Sequence, residues 1–183
     1  DMNSCTLATA YDDAPLQYED TGKYIRNWWG DSYRGLNTVR QGIVESMNIV
    51  ACNCMYEAGI SNCMEYVKSF GYSWIDDDDY YMSTAIGGLT HGVTNLENCA
   101  AFGAIANSGV YIEPTFYSQV VDRDGTVLLD SEQVQDTHRV IEEDTASLLT
   151  NAMEDVVKYG TGINCNISSA PLAGKTGTTN DYK

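Results

Sequence analysis

Thr94 and Glu97 stand at the head of a run in which Leu96, Cys99, Ala100, Gly103 and Ala104 recur at i, i+3, i+4, i+7 and i+8. A threonine hydroxyl accepting from the third helical N–H, with a glutamate reaching back to the threonine N–H, satisfies donors that a helix start leaves unpaired. The pattern predicts an amphipathic helix closed by Asn107-Ser108-Gly109. A stripe of that kind is stable in water only when other elements cover it.

Similar punctuation recurs along the chain. Thr38 and Gln41 make another capping-box pattern ahead of Val39, Ile43 and Val44, predicting a helix that ends near Glu45. A second helix is expected from Asn48 to Ala58, stopped by Gly59, and a third from about Asn62 to Phe70, stopped by Gly71. Asp144 to Lys158 carries Leu148, Leu149, Ala152, Met153 and Val156 on one face, with acid first and Lys158 last to suit the helix dipole. A hairpin is read over Phe116–Val121 and Thr126–Leu129, turned by Asp122-Arg123-Asp124-Gly125. Residues 1–35 show no lasting period and read as irregular and partly extended, and Pro171 to Thr178 reads as a short strand.

Charge narrows the function. Twenty-six acidic side chains against 10 basic give a formal net charge of -16 over 183 residues, which repels nucleic-acid phosphates and anionic headgroups. No nucleic-acid partner is expected. Asp76-Asp77-Asp78-Asp79 and Glu142-Glu143-Asp144 lack the spacing of a calcium loop and read as a solvated turn and a helix start. Of the six cysteines, Cys52, Cys54, Cys63 and Cys99 fall in helix-like apolar stretches and read as buried small residues. A zinc site is disfavoured because an x-one spacing on a helix points two side chains about 200° apart. His91 and His138 show no partner pattern and read as surface residues, and Trp28 and Trp29 as core or rim. No apolar run reaches the roughly 18 residues of a membrane span.

Two short motifs carry chemistry. Ser46-Met47-Asn48 matches S-x-N and Lys175-Thr176-Gly177 matches K-T-G, two of the three signals of serine acyl-transfer enzymes that act on D-alanyl-D-alanine and penicillin. That signature is an established mark of penicillin-binding proteins, not one obtained from spacing. Either motif alone is weak, since Ser and Asn also favour helix caps and Lys-Thr-Gly-Thr also makes a turn. Their surroundings raise the specificity: Asp13-Ala14-Pro15, Asn27-Trp28-Trp29, Tyr33-Arg34-Gly35, Val39-Arg40-Gln41, the stretch from Ala85 to Thr94, Ala106 to Pro114, Gly160-Thr161-Gly162, and Ala173 to Asp181. Together these make the chain resemble the transpeptidase domain of class A penicillin-binding proteins over nearly its whole length.

The resemblance implies an α/β (α+β) fold of the penicillin-binding protein and serine β-lactamase type. A mostly helical subdomain would carry the Lys-Thr-Gly strand, with an antiparallel sheet incomplete in this chain. It implies a peptidoglycan D,D-transpeptidase that needs no cofactor or metal and works outside the cytoplasmic membrane in a membrane-anchored parent, with peptidoglycan stem peptides and β-lactams as partners. Ser46 would relay a proton to the leaving amine with Lys175 beside it, and Asn48 would orient the lysine and substrate. Thr176, Gly177 and Thr178 would meet the substrate as an added strand, the Thr178 N–H serving an oxyanion hole.

One departure is plain. No serine in the sequence is followed by lysine three positions later, so the nucleophile motif S-x-x-K is missing. With Asp1 in place of an initiator Met and Lys183 directly after a motif, residues 1–183 read as a partial transpeptidase domain truncated at both ends. The chain alone is expected to be inactive. A non-catalytic module that keeps only the cleft wall is the alternative from another class. A serine β-lactamase or D,D-carboxypeptidase shares the motifs, and the class A segment ending at Tyr111-Ile112-Glu113-Pro114 argues against it.

Overall fold

The computed structural model describes residues 5–19 and 21–178. Strand β1 (Ala10–Asp13) pairs antiparallel with β2 (Gly35–Thr38), and β2 runs directly into α1 (Val39–Val44). Helices α2 (Asn48–Ala58) and α3 (Ile60–Ser69) follow, then a stretch holding only two short 3₁₀ turns, Asp77–Asp79 and Met82–Ile86. Helix α4 (Asn95–Ala106), β3 (Val110–Ile112), the hairpin β4 (Gln119–Val121) and β5 (Val127–Asp130), the single turn α5 (Ser131–Val134), β6 (Thr137–Arg139), α6 (Glu143–Tyr159) and a last 3₁₀ turn, Ile163–Cys165, complete the order among the described residues. Strand β3 pairs with β6, so the described strands form three separate two-stranded sheets.

Local chemistry sets most of these boundaries. Thr38 caps α1, its hydroxyl accepting from Gln41 N–H at 3.2 Å. Gly59, at φ +88°, ends α2 and begins α3, which therefore starts two residues before the expected Asn62. Left-handed backbone of this kind is open to glycine at no steric cost.

Two apolar clusters hold the elements together. Ala104, Tyr111, Val140, Ile141 and Ala146 join α4, β3 and α6, while Ile25, Ile49, Cys52 and Met82 seat α2 against the loop before β2 and the second 3₁₀ turn. Helix α1 lies between α2 and α6, in contact with both.

Several expectations need correction. Residues 171–178 form no strand, because no strand lies beside them among the described residues; Gly174 N–H instead donates to Met153 O of α6 at 3.2 Å. The extended part of the first segment is β1, as a partly extended reading allows, and its partner β2 is too distant in sequence for a local pattern to reveal. The predicted stripe of α4 is rotated: Ala101 and Ala104 are buried, whereas Leu96 and Cys99 are exposed. Tyr111 and Ile141 pack on the alanine side, and their bulk selects the face.

The acidic run is not wholly solvated either. Asp79 is fully buried and accepts from Thr90 N–H and Oγ1 and from Asp76 N–H. His91 pairs with Asp76 at 2.7 Å and stacks on Trp74, while His138 sits between Asp136 and Ser69. His91 is exposed as expected and His138 is half-buried, and both hold partners that the sequence did not reveal.

The box at the head of α4 forms as expected. Glu97 accepts from the N–H and hydroxyl of Thr94 at 2.9 and 2.8 Å, and from those of Ser73 at 3.0 and 2.7 Å. The Ser73 N–H first, then that of Thr94, with both hydroxyls adding, hold its carboxyl down at about 2, against 4.5 for a free glutamate. A depressed folded-state pKa stabilises fully above the unfolded value and is lost as pH falls toward the folded one. Water at the edge of the site screens the effect to about 1–2 kcal/mol. In urea unfolding, the wild type is expected to lose that much more stability than Glu97→Gln between about pH 6 and about pH 2.5; equal losses would show that the carboxylate contributes nothing.

Candidate active site

The turn joining α1 to α2 is Glu45-Ser46-Met47. Its middle residue takes φ +54°, a left-handed conformation that costs a β-carbon residue on the order of 1 kcal/mol and persists where surroundings enforce it. Met47 supplies part of that enforcement: it is 1% exposed, and its N–H donates to Gly42 O at 2.8 Å.

The rest comes from residues 26–28. Asn48 Nδ2 donates to Arg26 O at 2.7 Å, Trp28 Nε1 donates to Glu45 O at 2.8 Å, and Asn27 Oδ1 accepts from Ile49 N–H at 3.4 Å. Asn27 is fixed in turn by the buried Asp13, whose carboxylate accepts Asn27 Nδ2 at 2.7 Å and Arg34 N–H at 2.8 Å. Arg34 then lies 3.8 Å over the Trp29 ring and pairs with Glu45 at 3.6 Å. A buried carboxylate is tolerated where its oxygens are hydrogen-bonded. Here those bonds clamp both sides of Ser46.

The second motif arrives from the far end of the chain. Beyond α6, Thr161 N–H donates to Val44 O at 3.2 Å, and the Thr161 and Thr176 hydroxyls meet at 2.6 Å. These ties place Lys175 so that its Nζ donates to Ser46 Oγ at 2.6 Å and to Thr176 O at 3.0 Å. Lys175 is exposed as a residue, yet desolvation around its ammonium moves its pKa below the ordinary 10.5. Two groups 129 residues apart thus share one hydrogen bond.

A scan against family models decides the family, since the penicillin binding protein transpeptidase domain matches residues 3–183. The chain belongs to that family. Among curated relatives, penicillin-binding protein 1A of Clostridium botulinum (strain Langeland) is 31% identical over 192 residues, covering 100% of this chain and 23% of the relative. Penicillin-binding protein 1A of Streptococcus pneumoniae (strain R6) is 31% identical over 181 residues, covering 96% of this chain and 24% of the relative. The chain therefore spans about a quarter of the length of these relatives.

Solved penicillin-binding proteins share the fold. Penicillin-binding protein 1A of Haemophilus influenzae superimposes with a TM-score of 0.80 at 24% identity, over 98% of this chain and 32% of that one. Penicillin-binding protein A of Mycobacterium tuberculosis, solved as an imipenem acyl-enzyme, gives 0.80 at 19% identity, over 97% of this chain and 44% of that one. The α+β class read from the motifs is that of the transpeptidase fold, with sheets incomplete among the described residues.

Of the transpeptidase motif residues, Ser46 and Lys175 come together. Asn48 shares the turn, but its amide donates to Arg26 O rather than toward Lys175. Thr176 is tied to Thr161, whereas Gly177 and Thr178 are exposed, and among the described residues none but the chain neighbours comes within 4 Å of where a Gly177 Cβ would stand. The family-like residues Thr179, Asn180 and Asp181 lie outside the described residues. Asp13 and Asn27 were not singled out from the sequence; their only signal was membership of two family-like segments. A depression of 380 Å³ lined by Ser108, Glu143, Asn151 and Glu154 holds none of the motif residues.

Proposed function

We propose that this chain forms one wall of the acyl-transfer cleft of a peptidoglycan D,D-transpeptidase, in a membrane-anchored parent working outside the cytoplasmic membrane, and that the cleft takes stem peptides and β-lactams. The 2.6 Å bond between Lys175 Nζ and Ser46 Oγ carries this reading. When a serine attacks an amide carbonyl, the leaving nitrogen needs a proton. An isolated serine hydroxyl is a poor acid, but a cation at hydrogen-bond distance stabilises the alkoxide that forms as the proton leaves. Ser46 would hand its proton to the leaving amine and recover one from Lys175. Asn48, whose Nδ2 is held by Arg26 O, would offer the remaining hydrogen-bonding capacity of its amide to lysine and substrate.

The exposed run Thr176-Gly177-Thr178 would dock the substrate as an added strand. Two hydroxyls there can meet a terminal carboxylate, and a residue without a Cβ at position 177 lets a second backbone come close. The Thr178 N–H would serve as an oxyanion donor, a contribution typically worth about 3 kcal/mol.

The nucleophile is absent from this sequence, and groups of such a set act as a unit. Incubated with a fluorescent penicillin and run on a denaturing gel, the 183-residue chain is expected to remain unlabelled, and the complete parent protein to give a labelled band. A band from the chain alone would sink the claim of inactivity. An unlabelled parent would sink the transpeptidase reading in favour of a non-catalytic module.

A further inference from the structure

We propose that Cys5 and Cys54 are an oxidation site of this chain, a thiol pair that closes into a disulfide and ties the segment before β1 to α2. Their sulfurs are 3.4 Å apart across 49 residues of sequence, partly buried. A disulfide needs about 2.05 Å, so closing the bond requires a movement of about 1.4 Å, within reach of small side-chain rotations.

The approach is enforced by the backbone. Cys5 leads into a turn in which Thr9 N–H donates to Thr6 O at 3.0 Å, and Leu7 O accepts from Arg40 N–H at 3.0 Å. Strand β1 then packs on α2, which carries Cys54. Tyr11 of β1 places a buried hydroxyl near the pair, and Glu57 of α2 lies within electrostatic reach of both Tyr11 and Cys54. Cys63 of α3 is the third thiol nearby, directed at Met55 O at 4.0 Å, while Cys52 is turned into the core toward Met82 O at 3.7 Å. Architecture thus selects one pair among the six cysteines.

The chemistry balances with a low-molecular-weight disulfide as oxidant. Burial first, and the contact with Cys5 second, push the Cys54 thiol up to about 12, so it is a poor initial nucleophile. The Cys5 thiolate attacks the oxidant, one thiolate leaves, and a mixed disulfide remains on Cys5. Cys54 then loses its proton, attacks the Cys5 sulfur and expels the second thiolate. Two protein thiols lose two electrons and two protons, and the oxidant departs as two thiols.

The test treats the folded chain with oxidised glutathione, quenches in acid, alkylates and maps peptides by mass spectrometry. The expected result is a peptide joining Cys5 to Cys54 and a mass loss of about 2 Da. Closing so long a loop should raise Tm by about 5 °C or more, reversibly with dithiothreitol. Cys63→Ser should keep the link, and Cys5→Ser should abolish the rise in Tm. A glutathione adduct that persists on Cys5, a link from Cys54 to Cys63 in its place, or retention of every thiol overturns the proposal.

Discussion

Replacing Lys175 by methionine in the complete transpeptidase domain is expected to slow acylation by a fluorescent penicillin by about two to three orders of magnitude, the range set by loss of a positioned proton donor. Methionine keeps much of the stem and removes the cation that donates to Ser46 Oγ at 2.6 Å and to Thr176 O at 3.0 Å. Because Lys175 is exposed, stability should change by no more than about 0.5 kcal/mol. The pH profile sharpens the test. In the proposed relay the cation would be the active form, and desolvation lowers its pKa below 10.5, so the wild-type rate should fall as pH rises through that lowered value. The variant should lack this alkaline limb. Acylation within threefold of wild type, or a limb that persists, would remove Lys175 from the proton relay.

Gly160→Ala is expected to be the most damaging single-methyl change near the site, lowering stability by about 2–4 kcal/mol and Tm by about 5–12 °C. Gly160 has an ordinary φ of −109°, so the harm comes from contact alone. A Cβ there would run into the Val44 carbonyl oxygen and stand 2.8 Å from Val44 Cγ1. That carbonyl accepts the Thr161 N–H, and Thr161 holds Thr176. Relief of the clash must move the end of α6 away from α1, carrying Lys175 from Ser46. Gly103→Ala is the control: its Cβ would meet nothing within 4 Å and it lies inside α4, so alanine should stabilise by about 0.5–1 kcal/mol. Equal thermal melts for the two variants would refute the contact argument.

What the sequence disclosed was local in origin. The caps at Thr38 and Thr94 and the stop at Gly59 involve residues within a few positions of one another, and each is found as expected. The turn Asp122–Gly125 is equally local, with Asp122 accepting from Asp124 and Thr126 N–H. What it hid depends on partners far along the chain. The pairing of Ala10 with Thr38, the buried face of α4 and the clasp of His138 on Ser69 are each set by the packed neighbour and not by adjacent sequence. Residues 171–178 show the converse, since a strand-like run of residues makes no ladder without a strand beside it.

The candidate site divides in the same way. Ser46, Asn48 and Lys175 could be named as candidates because two weak motifs stand in family-like order and surroundings. Asp13 and Asn27 were not, because an aspartate before Ala-Pro and an asparagine before two tryptophans read as loop residues until burial is known. At 1% and 4% exposure they are structural polar groups whose hydrogen bonds end on the turn that presents Ser46.

That turn bears on how such a chain can vary. In Ser46-Met47-Asn48 the flanking side chains use hydrogen bonds while the middle one fills a volume, since Met47 is 1% exposed. Selection therefore acts on adjacent positions through different currencies. Position 47 should tolerate exchanges among unbranched apolar residues of similar bulk and reject polar ones, whatever the substrate. Position 46 can drift without loss of fold once turnover is no longer needed. A lineage that abandons catalysis should thus erode its serine first and keep its methionine long afterwards, leaving the packing residue as the more durable record of descent.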